Sequence, residues 1–208
     1  MPRYLFPRRV MWDKGFGGWV TRRWRFPPGR WSEWRPGTVA ELARLQAAHL
    51  PALWAFELEN REYFAASVPD RGDDFFAEFM TRHDELLERQ AEGSMIMHVV
   101  VESDGSIVGR LNLFEVREGT ADLGYRIAER ASGAGVATEF VRRVCSMAAN
   151  DYGLTALHAS ARTENVGSRK VLERTGFVAI GEVTLSGRPG IRYRRDLADL
   201  ARGGEISS

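Results

Sequence analysis

The stretch from Asp122 to Tyr152 constrains this chain more than any other. Asp122-Leu-Gly-Tyr-Arg-Ile127 reads as a strand and leads into Arg130-Ala131-Ser132-Gly133-Ala134-Gly135-Val136-Ala137-Thr138. Behind this loop Val136, Phe140, Val141, Val144, Ala148 and Tyr152 fall on one face of a helix, with Gly153 where a C-terminal stop belongs. Strand, glycine-rich loop and helix in direct succession meet the physical requirements for holding a pyrophosphate. The glycines let the backbone turn tightly and come close to a ligand, the first-turn amides lack helical partners, and the helix dipole favours negative charge. A Walker loop would need a lysine after its last glycine, and none is present. A dinucleotide fingerprint would need a third glycine where Thr138 stands and a parallel strand opening a βαβ unit; neither requirement is met convincingly. Taken alone, the loop would also pass for a glycine-eased turn without a ligand.

The surrounding periodicities set the order of elements. From Val39, Leu42, Leu45, Leu50, Leu53, Trp54 and Phe56 to Leu58 recur at spacings of three and four, broken at Pro51, which predicts two short helices. Phe75, Phe76, Phe79, Met80, His83, Leu86 and Leu87 predict a third, with Asp73 and Asp74 favouring its N-terminus. Met95 to Glu102 and Ser106 to Glu115 alternate as a hairpin across Ser103-Asp104-Gly105. Leu157 to Ala161 reads as a strand and Asn165 to Arg174 as a short helix closed by Gly176. Phe177 to Leu185 and Ile191 to Asp196 read as a second hairpin around Ser186-Gly-Arg-Pro-Gly190. This order predicts an α/β chain with a mixed sheet.

Composition narrows the class. A chain of 208 residues with 44% hydrophobic side chains can bury one core and does not need two. Lysine and arginine total 29 against 28 acidic residues, so no global field recruits nucleic acid or an anionic membrane. The lone Cys145 excludes an intrachain disulfide; beside the apolar Val144 it reads as inert core. His49, His83, His98 and His158 lie in different elements without metal-ligand spacing, so no metal is expected. No stretch approaches the length of a membrane span and the N-terminus lacks a continuous apolar run, so a cytoplasmic protein is expected.

Charge is nonetheless uneven. Arg3, Arg8, Arg9, Lys14, Arg22, Arg23, Arg25, Arg30 and Arg35 face only Asp13 and Glu33 in the first 35 residues, with Trp12, Trp19, Trp24, Trp31 and Trp34 interleaved. Residues 1–36 are therefore expected to be an extension, residues 37–200 the domain and 201–208 a frayed tail. The extension is open to three readings: a flexible arm, a clamp docked by its tryptophans on the domain or a second subunit, and a basic aromatic surface for RNA.

Several motifs in the right order also carry a family likeness. Arg130-x-x-Gly133-x-Gly135 resembles the acetyl-CoA signature of the GNAT superfamily, Q/R-x-x-G-x-G/A. Leu123-Gly124-Tyr125 resembles that family's central strand, and Asn165-x-x-Ser168-x-x-Val171-Leu172 before Gly176-Phe177 resembles its downstream element. With Phe56-Glu-Leu-Glu-Asn-Arg61, the likeness is greatest to the branch of ribosomal-protein alanine N-acetyltransferases, over roughly Val39 to Leu197.

The resemblance implies an α+β fold, a mixed and mostly antiparallel sheet flanked by helices, with two central strands splayed for the coenzyme. It implies acetyl-CoA with its arm along Leu123, Gly124, Tyr125, Arg126 and Ile127, and its pyrophosphate on the amides of Gly133 to Thr138 within the loop Arg130, Ala131, Ser132, Gly133, Ala134, Gly135, Val136, Ala137 and Thr138. Asn165 would bond the pantetheine, and a backbone donor near Leu123 or Gly124 would polarise the carbonyl. Acetyl would pass directly, without an acyl-enzyme, to a primary amine: a protein N-terminus first, and alternatively a small amine such as an amino acid or antibiotic. A cofactor-binding sensor module without efficient catalysis is the rival class. Ribosome or RNA contact would run through the extension, and the protein would be a monomer or homodimer.

An α-amino group with a pKa near ~8, or a lysine near ~10.4, is largely protonated at neutral pH, so a general base is expected. Where one alanine-acetylating relative carries a glutamate base, this chain has Ser160. Asp122 at the edge of the central strand is the expected substitute. Glu57 and Glu59, with Asn60 beside them, are further candidates on the acceptor side. Ser168 matches a serine that would hydrogen-bond the departing sulfur.

Overall fold

Among the described residues, seven strands hydrogen-bond into one sheet in the order β1-β2-β3-β4-β5-β7-β6. The computed structural model describes residues 40–201, so the expected extension over 1–36 and, beyond Ala201, the expected tail lie outside the described residues. Strands β1 (Ala40–Arg44), β2 (Met95–Glu102), β3 (Ile107–Arg117) and β4 (Thr120–Ile127) are successive antiparallel neighbours. β5 (Ala156–Arg162) joins β4 in parallel, and the hairpin of β6 (Val178–Leu185) and β7 (Arg188–Asp196) adds antiparallel to β5. Among the described residues, four α-helices, α1 (Leu50–Glu59), α2 (Arg61–Ala65), α3 (Gly72–Ala77) and α4 (Phe79–Ala91), precede β2. Helix α5 (Val136–Asn150) links β4 to β5, α6 (Val166–Arg174) links β5 to β6, and α7 (Ala198–Ala201) follows β7.

Side-chain alternation along the strands feeds two apolar clusters. In one, Phe140, Val141, Val144 and Ala148 of α5 pack on Leu111, Leu113, Leu123 and Leu157 of the sheet. In the other, Leu53, Phe56, Phe64 and Phe79 of the early helices pack with Met95, Met97 and Val99. Strand β2 contributes to both clusters, which is why it is buried along nearly its whole length.

The order of elements matches the expected α/β arrangement, with corrections at the front. Residues 40–44, expected to open a helix, form the edge strand β1, from Ala40 opposite Glu102 to Arg44 opposite His98. A short apolar run fits either period, and pairing with β2 outweighs the weak local preference. Pro51 does not divide two helices; it sits in the first turn of α1, where a missing N–H costs nothing. The break comes instead at Asn60, whose Nδ2 donates to Phe56 O (2.8 Å) while its Oδ1 accepts from Glu129 N (2.8 Å). This buried side chain ties the α1–α2 junction to the end of β4. The expected third helix is likewise two, α3 and α4, separated at Glu78. The second hairpin turns more tightly than expected, between Leu185 and Arg188.

His98 lies fully buried on β2 with Nε2 2.7 Å from the Tyr152 hydroxyl. Burial first, and the charge of Arg44 second, push its pKa from 6.5 down to about 4, so the folded chain holds it neutral. Between those values the unfolded chain binds a proton that the folded chain does not. This contribution is therefore complete above pH 6.5 and is lost as pH falls toward 4, on the order of 3 kcal/mol over the full window. Replacing His98 by Phe is expected to flatten the fall in stability between about pH 7.5 and about pH 5 in urea unfolding; the same slope in both proteins would contradict the assignment.

Candidate active site

Strands β4 and β5 pair only over Thr120↔Ala156, Ala121↔Leu157 and Asp122↔His158. Beyond this point β4 continues with β3 as far as Ile127, and β5 continues with β7 as far as Arg162. From Leu123 onward the two strands have no ladder between them, so the backbone groups on the facing edges have lost their sheet partners. A cavity of about 710 Å³ occupies the parting. It is lined by Asp122 to Arg126 of β4, Ala159 to Arg162 of β5, Asn165, Ser168 and Leu172, Arg110, Asn112, Phe114 and Glu115 of β3, Arg192 of β7, and the outlying residues Ser67 to Pro69, Arg71 and Thr184 to Ser186.

The glycine-rich loop lies at the end of β4, outside the lining of this cavity. Gly133 and Gly135 take left-handed backbone angles, φ +78° and +85°, and a Cβ at either would meet nothing within 4 Å. Conformation, not crowding, calls for glycine here, and the backbone stands open to an approaching ligand. Gly135 caps α5 without a side-chain bond, and the first helical bond runs from Glu139 N to Gly135 O (3.0 Å). The amides of Val136, Ala137 and Thr138 thus point out of the helix at its positive end, which suits a pyrophosphate. Ala131 is packed in the core, Ser132 Oγ accepts from the Tyr63 hydroxyl (3.0 Å), and Arg130 pairs with Glu102 and Ser106 of the β2–β3 hairpin. The Arg130 side chain therefore anchors the loop to the sheet.

On the α6 side of the parting, Tyr125 Oη lies 3.0 Å from Ser168 Oγ and also donates to Ser168 O at 3.3 Å. Asn165 caps α6, its Oδ1 accepting from Ser168 N (3.0 Å). Burial pushes the Tyr125 phenol up to about 12, so it keeps its proton at neutral pH and can support Ser168 as a donor. The structure thus brings Tyr125 to Ser168, 43 residues further along the chain, and to the Asn165 cap beside it.

On the opposite side, Asp122 Oδ1 lies 2.5 Å from Arg192 Nη1, and the same nitrogen donates to Ser160 Oγ (3.2 Å). Asp122 is therefore a cavity-lining carboxylate already engaged by a guanidinium. None of Glu57, Glu59 or Asn60 lines the cavity. Glu59 is exposed, and Asn60 holds the helix junction described above. Glu57 is 2% exposed beneath the cavity wall. Arg126 donates to its Oε2 at 2.8 Å; Arg110 Nη1 lies 2.8 Å from its Oε1 but too bent for a hydrogen bond; Arg71 Nη1 stands 3.7 Å away.

This arginine cluster, with Arg192, is what sequence reasoning missed. The signal was present as polar residues at alternate positions of β3, Arg110 and Asn112 among Val108, Leu111 and Leu113. Only the register, Arg110 opposite Arg126 and Asn112 opposite Gly124, brings them onto one cavity wall. Cys145 is buried, and burial pushes its thiol up to about 12, which leaves it without nucleophilic character. No helix among the described residues is long and apolar enough to cross a membrane.

A strand pair that parts around a cavity, an open glycine loop at a helix N-terminus and a hydroxyl pair at the gap fit an acyl-coenzyme A. The chain belongs to the acetyltransferase (GNAT) domain family, whose description matches residues 40–178. It is an N-acetyltransferase with acetyl-CoA as its acyl donor and an amine as its acceptor. It is 32% identical over 127 residues to a probable N-acetyltransferase, YjcK of Bacillus subtilis (strain 168), covering 57% of this chain and 69% of that protein. Ribosomal-protein-S5-alanine acetyltransferase from Vibrio fischeri shares the fold with TM-score 0.72 at 20% identity, over 77% of this chain and 94% of the other. Mycobacterium smegmatis RimJ, solved with CoA-disulfide, does so with TM-score 0.69 at 22% identity, over 79% and 88%. Spermidine N-acetyltransferase from Vibrio cholerae, solved with CoA and spermine, gives 0.65 at 17% identity, over 77% and 97%.

A pyrophosphate held by the loop predicts that Gly135→Glu weakens coenzyme A binding at least about tenfold. The substitution puts an L side chain in the left-handed region, at about 1–2 kcal/mol, and sets a carboxylate against phosphate. Calorimetric titration with coenzyme A measures this, and unchanged affinity would place the phosphates elsewhere.

Proposed function

We propose that this acetyltransferase modifies the α-amino group of a protein N-terminus. The observation that carries the reading is the cavity of about 710 Å³, which runs from the parted strands to the outlying residues Ser67 to Pro69, Arg71 and Thr184 to Ser186. That volume accommodates an extended acceptor as well as the end of a coenzyme arm, and segments outside the sheet flank the path by which a peptide would enter.

When bound, acetyl-CoA supplies an activated acetyl carbonyl and a thiol leaving group. In the proposed arrangement, residues 123–127 pair along the arm with the backbone edge that β5 leaves free, and the amides of Gly133 to Thr138 hold the pyrophosphate. A backbone N–H near Leu123 or Gly124 faces the carbonyl oxygen as its charge grows. The amine comes from the face that carries Asp122, Asn112 and Phe114, and its proton passes to Asp122 directly or through water. The new N–C bond forms as the C–S bond breaks. Ser168, supported by Tyr125, donates to the departing sulfur from the other face. Arg192 orients the Asp122 carboxylate and holds Ser160 beside it.

Asp122→Asn keeps the shape and removes the proton acceptor, so kcat should fall by about 10² or more with little change in KM for acetyl-CoA. Steady-state thiol release across a pH series measures it; full activity with an unchanged profile would remove Asp122 from the mechanism. Ser168→Ala should lower kcat by roughly tenfold or more, the worth of one hydrogen bond to a developing charge, with the shape of the pH profile unchanged. An unchanged kcat would leave Ser168 only its place in α6.

A further inference from the structure

The acceptor side of the cavity carries more guanidinium charge than its carboxylates balance. Among the described residues, Glu57 alone pairs with Arg71, Arg110 and Arg126, while Arg192 pairs with Asp122. Arg110 is 8% exposed, lines the cavity, and its Nε has no hydrogen-bond partner among the described residues. Arg71 stands 3.7 Å from Glu57 and 4.4 Å over the Phe75 ring, with its side chain 30% exposed. Desolvation, followed by the charge of Arg110, pushes Arg71 down to about 10, so it stays charged at neutral pH in surroundings that already hold too much positive charge. A cluster of this kind is stabilised by an added anion and destabilised by an added cation.

A second unpartnered group fixes the direction of the acceptor. The buried Oδ1 of Asn112 has no hydrogen-bond partner among the described residues, lines the same cavity, and belongs to the residue opposite Gly124. It is an acceptor, suited to an amine N–H. Arg110 lies two residues along β3 on the same face, roughly 7 Å away along the strand.

We propose that the acceptor carries a carboxylate which docks against Arg110 and Arg71 while its amine lies at Asn112 and Asp122. Resting on the N-terminal reading above, this makes the substrate a peptide with an acidic side chain at its second residue. The α-amine and α-carboxylate of a free amino acid lie too close together to span the two positions, so only an acidic side chain can reach the arginines, and a polyamine would meet them with like charge.

The test compares peptides identical except for Glu, Gln or Lys at the second residue, together with free glutamate and a polyamine. The Glu peptide is expected to exceed the Gln peptide in kcat/KM by about tenfold or more, and the Lys peptide to fall lower still. Arg71→Gln, on the more accessible of the two arginines, should bring the Glu-to-Gln ratio close to one with KM for acetyl-CoA within about twofold. Calorimetric binding of the Glu peptide should weaken in parallel, and a thermal melt confirms that the variant is folded. Equal use of all three peptides would overturn the anion site and leave the N-terminal reading standing. Use of free glutamate with rejection of every peptide and of the polyamine would overturn the N-terminal reading and leave the anion site standing. A rise in KM for acetyl-CoA in Arg71→Gln, with the peptide ratio unchanged, would assign the cluster to the coenzyme and overturn the proposal.

Discussion

The site depends on one piece of hydrogen-bond accounting: β4 and β5 share a ladder for three residue pairs and then separate. Each strand keeps its other neighbour, β3 for β4 and β7 for β5, so both stay rigid while their facing edges go without a sheet partner. Free strand edges inside a sheet are costly unless something completes them. An extended, amide-bearing arm is a chemical match for such an edge. Beneath them α5, leaving the end of β4 through the glycine loop, packs Phe140, Val141 and Val144 in one cluster with Leu123 of β4 and Leu157 of β5. The same helix carries its open N-terminus at the end of β4, where the pyrophosphate is proposed to sit.

Strand alternation then gives the two sides of the gap different chemistry. Tyr125 faces α6 and meets Ser168, whereas Asp122 and Arg126 on the other face meet arginines from β3 and β7 and Glu57 from α1. A hydroxyl donor on one side and a carboxylate on the other is the polarity that the proposed direct acyl transfer would use, with the sulfur leaving toward the first and the amine arriving from the second. Under the proposed acceptor reading the arginines would add a sign preference for whatever accompanies the amine. Glu57 limits the cost of gathering three guanidiniums but does not cancel it, and Arg126 gains further cover by stacking 4.9 Å from the Phe64 ring.

Much of this was legible in the sequence because it is local. The loop from Arg130 to Thr138, the helix behind it and both hairpins follow from glycine placement and periodicity, and the structure has them within a few residues. What sequence reading lost was set by distant partners. Residues 40–44 became a strand because β2 offered an edge, and Glu57 went into the core because Arg110 and Arg126 stood opposite to receive it. A glutamate on a helix ordinarily faces water, and nothing near Glu57 in the chain shows otherwise. The pairing of Asp122 with Arg192, seventy residues on, is equally invisible without the order β4-β5-β7.

Amide hydrogen exchange with and without coenzyme A tests most directly whether the parted strands receive the coenzyme arm. The account predicts that coenzyme A slows exchange at the amides within residues 123–127 and at Gly133 to Thr138, with little change along β2 or α4. Protection confined to other elements, or a bound coenzyme that leaves these two segments exchanging as before, would contradict it.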